Sequence, residues 1–341
     1  MKMIRAARLL ASLLFLAAAP AAAPAADRIT VLTWEAFISP KVLAAFKNRE
    51  QLQVELIEFS SPEEREQLLA EKRDQIDIVV ADTIWTSEYR RRGLLEKIDA
   101  ARVPSVKHAL THWRTDAEYA VPYMWGHTGI AWRTDLLDAP VTSYAALFNL
   151  ARMHPGKVSL LDDSHEMLRA ALYAFGTQPY TMNTPAQVQN AHALLKPHRK
   201  DMRIVGSELD EDSAWLDGSL IAGQAFNGDI AYLRDNFKAP LAFAVPSPGC
   251  MIFNEQLALL KSARNKDAAY RFMALITEPT YAARNALYVR YAPSNPLAVA
   301  RLDEAFRNDP IIRPTFEGLE GCYFYNAFDA ATQATLDRIK P

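Results

Sequence analysis

Five places in the sequence gather carboxylates, most of them beside an aromatic side chain, and these residue types are suited to holding an organic cation. A carboxylate forms charge-assisted hydrogen bonds with an ammonium group. An aromatic face adds a cation–π contact of about 0.5–2 kcal/mol, and methylene groups pack on the same ring. The pattern favours a thin cation in which methylene groups separate the charges. The residues are Trp34, Glu35 and Phe37; Asp82 and Trp85; Asp163 and Glu166; Phe226 and Asp229; and Phe253 and Glu255.

Some of these residues also have a purely structural interpretation. Asp163 followed by Glu166 has the spacing of a capping box at a helix start, and Asp82 also precedes a predicted helix. Trp34 and Phe37, taken singly, are as typical of a hydrophobic core as of a ligand wall. The prediction of a binding site therefore depends on the coincidence of all five places.

Motifs of several enzyme classes are absent from the sequence, which contains no GxxxxGK[ST] loop, no HExxH pair and no GxSxG turn. His108 and His112 are spaced to share a helix face, but a metal site needs at least three protein ligands. A hydrolase that uses two carboxylates remains an alternative. The absences favour a binding protein without a metal or cofactor over an enzyme.

The predicted secondary structure places most of these residues at one edge of a sheet. Strands alternate with helices, which is typical of an α/β fold with parallel strands. Ligands of such sheets bind beyond the carboxyl ends of the strands. The predicted strands are 29–33, 54–59, 76–81, 157–161, 220–226 and 257–260; helices begin at Ser39–Pro40, Ser61–Pro62 and Thr83, and others cover 166–175, 230–236, 266–277 and 327–339.

Residues 1–26 have the charge order of a cleavable secretion signal. Lys2, Arg5 and Arg8 precede an apolar run at 9–19, and small residues follow at 21–26. The run is shorter than the ~20 residues of a membrane span, although an uncleaved anchor is the alternative. Cleavage would leave about 315 residues, enough for two domains, and would change the formal net charge from −2 to −5. We therefore predict an exported, mildly acidic protein. Such a charge does not favour binding to nucleic acid, which requires basic patches.

The chain resembles the periplasmic spermidine/putrescine-binding proteins of ABC transporters. The most specific match is VPYMWGHTGI at 121–130, which is similar to the PYxWGxTxI segment of that family. The resemblance covers nearly the whole chain after residue 26. It implies an α/β, two-lobed type II periplasmic binding protein fold, with two crossing segments near Trp132 and Phe253 and the ligand in the cleft. Supporting stretches are DIVV at 77–80, RGLLEKID at 92–99, SLLDD at 159–163, LALLKSARNK at 257–266 and YAPSN at 291–295.

The resemblance also implies roles for single residues. Acids that hold the amines correspond to Asp163, Glu166, Asp229 and Glu255, and aromatic walls correspond to Trp34, Phe37, Phe226, Phe253 and Tyr291. The complete predicted ligand-binding set is Trp34, Glu35, Phe37, Asp82, Trp85, Asp163, Glu166, Phe226, Asp229, Phe253, Glu255 and Tyr291.

The chain departs from the family pattern at several of these positions. Glu35 follows Trp34 directly, where the family has Ser or Thr before the acid, and Asp82 replaces a small hydroxyl residue. Phenylalanine at 37, 226 and 253 stands where the family has Tyr or Trp, which weakens cation–π contacts. No arginine belongs to the five places. Arg133 and Arg290 are the arginines expected nearest to the cleft, and Glu63 is expected on the surface.

The two cysteines, Cys250 and Cys322, have two possible states. An oxidising compartment permits a disulfide, and a pair of unlinked thiols is the alternative. The resemblance places both residues near the cleft, and we therefore favour the disulfide.

From these observations we predict a monomeric periplasmic protein that captures a linear polyamine by lobe closure and delivers it to an inner-membrane ABC permease. The alternatives are a sensor of the same fold that docks on a membrane signalling receptor, and a binder of another small solute. The predicted lobes are 27–131 with 254–299 and 132–253 with 300–341.

Overall fold

The computed structural model describes residues 28–109, 118–178, 180–315, 317–324 and 328–339. The predicted secretion signal, His112 and the first residue of the predicted last helix, Ala327, lie outside the described residues. The strands are β1 (Arg28–Trp34), β2 (Gln53–Phe59), β3 (Ile78–Asp82), β4 (Ala120–Arg133), β5 (Val158–Leu161), β6 (Arg203–Val205), β7 (Ala222–Phe226), β8 (Leu241–Ala244), β9 (Met251–Leu259), β10 (Ala292–Pro293) and β11 (Tyr323–Phe324).

The α-helices alternate with these strands over much of the chain, as the sequence predicts. They are α1 (Pro40–Glu50), α2 (Pro62–Lys72), α3 (Thr83–Arg91), α4 (Tyr144–Met153), α5 (Ser164–Phe175), α6 (Pro185–Leu195), α7 (Asn227–Phe237), α8 (Lys266–Thr277), α9 (Pro279–Val289), α10 (Pro296–Val299), α11 (Glu304–Arg307) and α12 (Ala330–Ile339).

Short polar side chains fix the starts of the helices that follow the site strands. Ser39 and Ser61 cap α1 and α2, and each is followed by proline at the first helical position. Asp82 and Asp163 cap α3 and α5. Each cap supplies an acceptor to backbone N–H groups that have no partner within the helix, and such a cap stabilises a helix by about 1 kcal/mol.

The sheet has two halves joined by long antiparallel strands. Its order is β2-β1-β3-β9-β4-β7-β5-β6, with β10 and β8 paired to β4 and β11 paired to β9. The pairs β1/β2, β1/β3, β5/β6, β5/β7 and β9/β11 are parallel. Strand β9 runs antiparallel to β3 and β4, and β4 also runs antiparallel to β7, β8 and β10. The arrangement is a mixed sheet with a parallel set of strands on each side.

Strand β4 carries the chain from one half of the sheet to the other. Its residues up to His127 pair with β9, and its residues from Thr128 onward pair with β7 and β8. This crossing lies a few residues before the predicted position at Trp132. The second crossing is the segment 245–250, which leads from β8 into β9 and ends close to the predicted Phe253.

Buried hydrophobic side chains form separate clusters on the two sides of the crossing. The first contains side chains of β1, β3, α8 and α9, and the second contains side chains of β5, α4, α5 and α6. A smaller third cluster lies beside the second and is formed around Trp215 and α7. Leu302, Phe306 and Ile312 pack in the first cluster, although the sequence analysis placed 300–341 in the second lobe.

Among the residues that the structure describes, no helix is both long enough and apolar enough to cross a membrane.

Candidate ligand-binding site

A small cavity lies where the two halves of the molecule meet, at the carboxyl ends of β1 and β7. Eight predicted residues line it, together with Ser207, which the sequence analysis missed. The lining residues are Trp34, Glu35, Phe37, Ser207, Phe226, Asp229, Phe253, Glu255 and Tyr291.

Five aromatic rings contact one another in a chain around this cavity. Trp34 contacts the ring of Phe226 at 5.8 Å between centroids, and Phe226 contacts Phe253 at 5.4 Å. Tyr291 continues the chain, at 6.1 Å from Phe253 and 5.3 Å from Phe37. The interplanar angles of these four contacts are 60° to 80°. Rings at such angles present both edges and faces, so the wall can pack methylene groups and also face a positive charge.

Asp229 is a fully engaged carboxylate in the first turn of α7. Ser207 Oγ donates to its Oδ2 at 2.6 Å, and Tyr291 Oη donates to its Oδ1 at 2.6 Å. Burial raises the pKa of Asp229 to about 6, although both hydrogen bonds act to lower it. The carboxylate is held in one orientation and is sensitive to any charge that enters the cavity.

The ring of Tyr291 packs directly on the backbone of α7 at Gly228. A Cβ atom at that position would lie 2.2 Å from the ring, closer than any normal contact. Glycine therefore allows Tyr291 to reach Asp229.

Glu255 comes from the middle of β9, two residues after Phe253, so the two side chains point to the same face of the strand. Because β9 is antiparallel to β3, this part of β9 lies at the edge where β3 ends. Burial and the neighbouring Asp82 raise the pKa of Glu255 to about 8, although a hydrogen bond from the Trp34 side chain acts to lower it. Glu255 therefore holds a proton at neutral pH when no cation is present.

A turn at Ala36 brings Glu35 into the cavity. Ala36 has φ of +50°, a left-handed conformation that is uncommon for residues other than glycine. The loop is fixed by Asn285, whose Oδ1 accepts a hydrogen bond from the N–H of Ser39, and by Tyr123, whose hydroxyl donates to the carbonyl of Phe37. Burial raises the pKa of Glu35 to about 7. The acid that stands one place earlier than the family pattern therefore still lines the cavity.

Four predicted residues do not line the cavity. Asp163 caps α5 through hydrogen bonds from the N–H groups of His165 and Glu166, and Glu166 accepts a hydrogen bond from Gln224. Asp82 likewise caps α3 by accepting from Ile84 and Trp85, and the Trp85 ring faces Arg65. The capping interpretation that the sequence left open describes the contacts of Asp82 and Asp163.

Arg65 is a second residue that the sequence analysis missed, and it corrects the expectation that no arginine lies among the acidic places. It is fully buried, and Asp82 and Glu255 both interact with it electrostatically. The residues expected nearest the site, Arg133 and Arg290, instead form ion pairs with Asp135 and Asp235. In the sequence Arg65 lies inside α2, several residues after the end of β2, so the rule that selects residues at strand ends did not select it. Ser207 was missed because the three-residue strand before it, β6, was not predicted.

The two halves of the molecule touch across the cleft through polar contacts beside the cavity. The N–H of Ser207 donates to the carbonyl of Ser60 at 2.8 Å. Ser164 Oγ donates to Oε1 of Glu63 at 2.7 Å. Glu63, expected on the surface, is therefore a contact between the lobes, because α2 faces the start of α5.

Cys250 and Cys322 form a disulfide in the structure. It joins the segment before β9 to the segment before β11, and Tyr323 then pairs with Met251. The bond ties the C-terminal part of the chain to the crossing between the halves.

Comparison with known proteins places this geometry in a family. The sequence model of the bacterial extracellular solute-binding proteins matches residues 41–314. The putrescine-binding periplasmic protein SpuD of Pseudomonas aeruginosa is 28% identical over 340 residues, covering 93% of this chain and 92% of the relative. The norspermidine sensor of Vibrio cholerae is 30% identical over 287 residues, covering 82% of this chain and 79% of the relative.

The fold matches solved structures as well. The structure of a putative spermidine/putrescine ABC transporter from Listeria monocytogenes superposes with a TM-score of 0.81 at 23% identity, covering 92% of this chain and 97% of the other. This likeness confirms the two-lobed periplasmic binding protein fold, and the relatives confirm the family resemblance of the motifs. The chain therefore belongs to the bacterial extracellular solute-binding protein family, in the group of the spermidine/putrescine-binding proteins.

Proposed function

We propose that the protein binds a linear polyamine in the cavity between its lobes and that binding holds the lobes together. This proposal rests on one observation: three carboxylates, Glu35, Asp229 and Glu255, line the same small cavity as five aromatic rings. The carboxylates match ammonium groups, and the rings match the methylene groups between them. The other four predicted residues, Asp82, Trp85, Asp163 and Glu166, are proposed to shape the end of the cleft without touching the ligand.

The acids come from both lobes, which connects binding to closure. Glu35 and Glu255 belong to the half built on β1, β3 and β9, whereas Asp229 belongs to α7 of the other half. Burial raises the pKa of all three acids, so a closed and empty cavity disfavours their charged forms. A ligand with two ammonium groups removes this penalty and stabilises the closed state over the open one.

The lobes that we propose differ in one boundary from those expected from the sequence. The first lobe is proposed to take in the segment up to Ile312, because Leu302, Phe306 and Ile312 pack in its core. The second lobe is proposed to contain 132–253 and the C-terminal segment after 312.

We further propose that the protein is exported to the periplasm and is a monomer there. Its loaded form would deliver the ligand to an inner-membrane ABC permease by binding alone, without catalytic turnover. Several relatives carry names of periplasmic polyamine-binding proteins, which supports this role. The norspermidine sensor, at 30% identity, supports docking on a membrane receptor as a second candidate. Stimulation of a reconstituted permease ATPase by the loaded protein would favour delivery, and its absence together with binding to a membrane signalling receptor would favour sensing.

Isothermal titration of the mature, ligand-stripped protein tests the proposed binding. The titrants are putrescine, cadaverine, spermidine and norspermidine, with neutral amino acids as controls. We expect saturable binding of at least one polyamine and no heat from the amino acids. A folded, empty protein that binds none of the four polyamines would refute the proposal.

A further inference from the structure

Arg65 provides a permanent positive charge inside the acidic end of the cleft. It lies on α2, and its side chain is fully buried. Its guanidinium carbon is 4.9 Å from the centre of the Trp85 ring and 5.4 Å from that of Phe59. Nε donates to the hydroxyl of Tyr89 at 3.0 Å. Burial acts to lower the pKa of Arg65, but Tyr89 and Asp82 raise it above its ordinary value, so the group stays charged.

Arg65 keeps unused hydrogen-bonding capacity in this position. Within the part of the chain that the structure describes, neither Nη1 nor Nη2 has a hydrogen-bond partner, and both are buried. Donors of this kind are costly to leave unpaired, because they lose their hydrogen bonds to water on burial. The aromatic rings around the guanidinium offset part of this cost by cation–π contacts.

Two carboxyl groups stand beside this guanidinium on neighbouring strands. Asp82 and Glu255 are direct partners in the β3/β9 ladder, so their Cβ atoms lie about 4.5–5.5 Å apart. Like charges in such a pair repel each other. Arg65 lowers the pKa of both, against the effect of burial. When both carboxyls are ionised, the cluster of Asp82, Glu255 and Arg65 carries one net negative charge.

The buried charges around the cavity therefore match a dication. Asp229 contributes one negative charge, and the Asp82–Glu255–Arg65 cluster contributes one more once a bound ammonium has displaced the proton of Glu255. Asp163 is not counted here because its carboxyl caps α5, accepting hydrogen bonds from the N–H groups of His165 and Glu166. Burial and the neighbouring Glu63 and Glu166 raise its pKa well above the ordinary value. Glu35 is half-buried and remains partly solvated.

We propose that Arg65 is a specificity-determining residue that occupies the place of a third ligand nitrogen and restricts the site to a linear diamine. This inference rests on the proposed polyamine binding and specifies its ligand class. One ammonium lies at Asp229, and the other lies at Glu255. A triamine would continue past Glu255 toward Asp82, where its next ammonium would meet the guanidinium.

The test compares the affinities of putrescine and spermidine for the wild type and for Arg65→Met, Arg65→Gln and Arg65→Lys. In the wild type we expect putrescine to bind about tenfold or more tightly than spermidine, because juxtaposed like charges are strongly unfavourable at a buried contact. Arg65→Met and Arg65→Gln remove the charge, and we expect the ratio to move toward spermidine by about tenfold or more. Arg65→Lys keeps the charge and should keep the wild-type preference.

Two outcomes separate this inference from the function on which it rests. Failure of the wild type to bind putrescine, spermidine, cadaverine or norspermidine would refute the polyamine proposal. Equal or tighter binding of spermidine by the wild type would refute the role of Arg65 alone, and this result needs no variant to fold. A third probe, 4-aminobutanoate, tests the opposite use of the free Nη groups: tighter binding of this amino acid than of putrescine would show that Arg65 holds a ligand carboxylate, which would overturn the inference.

Discussion

The raised pKa of Glu255 predicts that polyamine affinity depends steeply on pH. In the ligand-free protein burial and Asp82 raise this pKa to about 8, so the carboxyl holds its proton through most of the neutral range. An ammonium group binds the ionised form, and binding must therefore release the proton. Affinity should rise with pH up to the pKa and fall as pH decreases below it.

The expected size follows from the pKa values. Between pH 8 and pH 6 the ionised fraction of a group with a pKa of 8 falls about 50-fold, which corresponds to about 2.3 kcal/mol of binding free energy. Asp229, with a pKa of about 6, adds about a factor of two over the same range, and Glu35, with a pKa of about 7, adds up to about a factor of ten where it also contacts an ammonium group. The ligand's primary amines resemble lysine, with a pKa of about 10.4, and stay charged throughout.

Isothermal titration with putrescine at pH 8, 7 and 6 measures this dependence. Repeating each titration in two buffers of different ionisation enthalpy counts the released protons, and we expect close to one proton from Glu255 at pH 7. Glu255→Gln should bind more weakly at pH 8 but lose much less affinity by pH 6. Wild-type affinities that are equal at pH 8 and pH 6 would refute the reasoning, and so would a Gln variant with the wild-type slope.

Three further predictions concern the same cavity. Asp229→Asn should weaken putrescine binding by about 10- to 150-fold, the effect of about 1.5–3 kcal/mol for a lost charged hydrogen bond, whereas Asp138→Asn on the surface should leave the titration unchanged; equal affinities would remove Asp229 from the site. Gly228→Ala should displace the Tyr291 ring and weaken putrescine binding by about 1–3 kcal/mol. Gly318→Ala, where a Cβ meets only ordinary contacts, serves as the control. A Gly228→Ala variant that binds putrescine with wild-type affinity would contradict the packing argument. The ligand-free protein should be more stable to heat at pH 5 than at pH 8. Buried carboxyls with raised pKa values, such as Asp229 and Glu255, stabilise the fold while they are protonated, and this stabilisation is lost as pH rises through their pKa values. Scanning calorimetry measures the melting temperature, and a melting temperature that rises between pH 5 and pH 8 would contradict the prediction.

Local rules predicted much of the first half of the fold. The Ser-Pro pairs at Ser39 and Ser61 mark helix starts because the side chain caps the helix and proline fits its first turn, and both helices begin there. The alternation of strands and helices also predicted the edge at which Trp34 and Phe226 meet, since carboxyl ends of parallel strands share one edge.

Contacts between distant segments account for what the sequence did not predict. Strand β4, which was not predicted, is buried along nearly its whole length, so its sequence lacks the alternation of apolar and polar residues that marks a half-buried strand. Glu278–Pro279 ends α8, as predicted, but it also begins α9, which the sequence analysis did not assign. Asp82 caps α3 and also interacts with Arg65, seventeen positions earlier, and only the packing of α2 brings the two side chains together.

The passage of β4 through both halves of the sheet constrains how the lobes can move. The lobes are joined by a strand whose backbone hydrogen bonds are made on both sides of the crossing, so one lobe can turn against the other only by bending or twisting that strand. Such a connection resists free rotation of one lobe about the other. Under the proposed function, ligand binding in the small cavity would therefore change the angle between the two lobes. Under the proposed function, a membrane partner that contacts both lobes would respond to that angle without contacting the ligand, and this would hold for a permease and for a receptor.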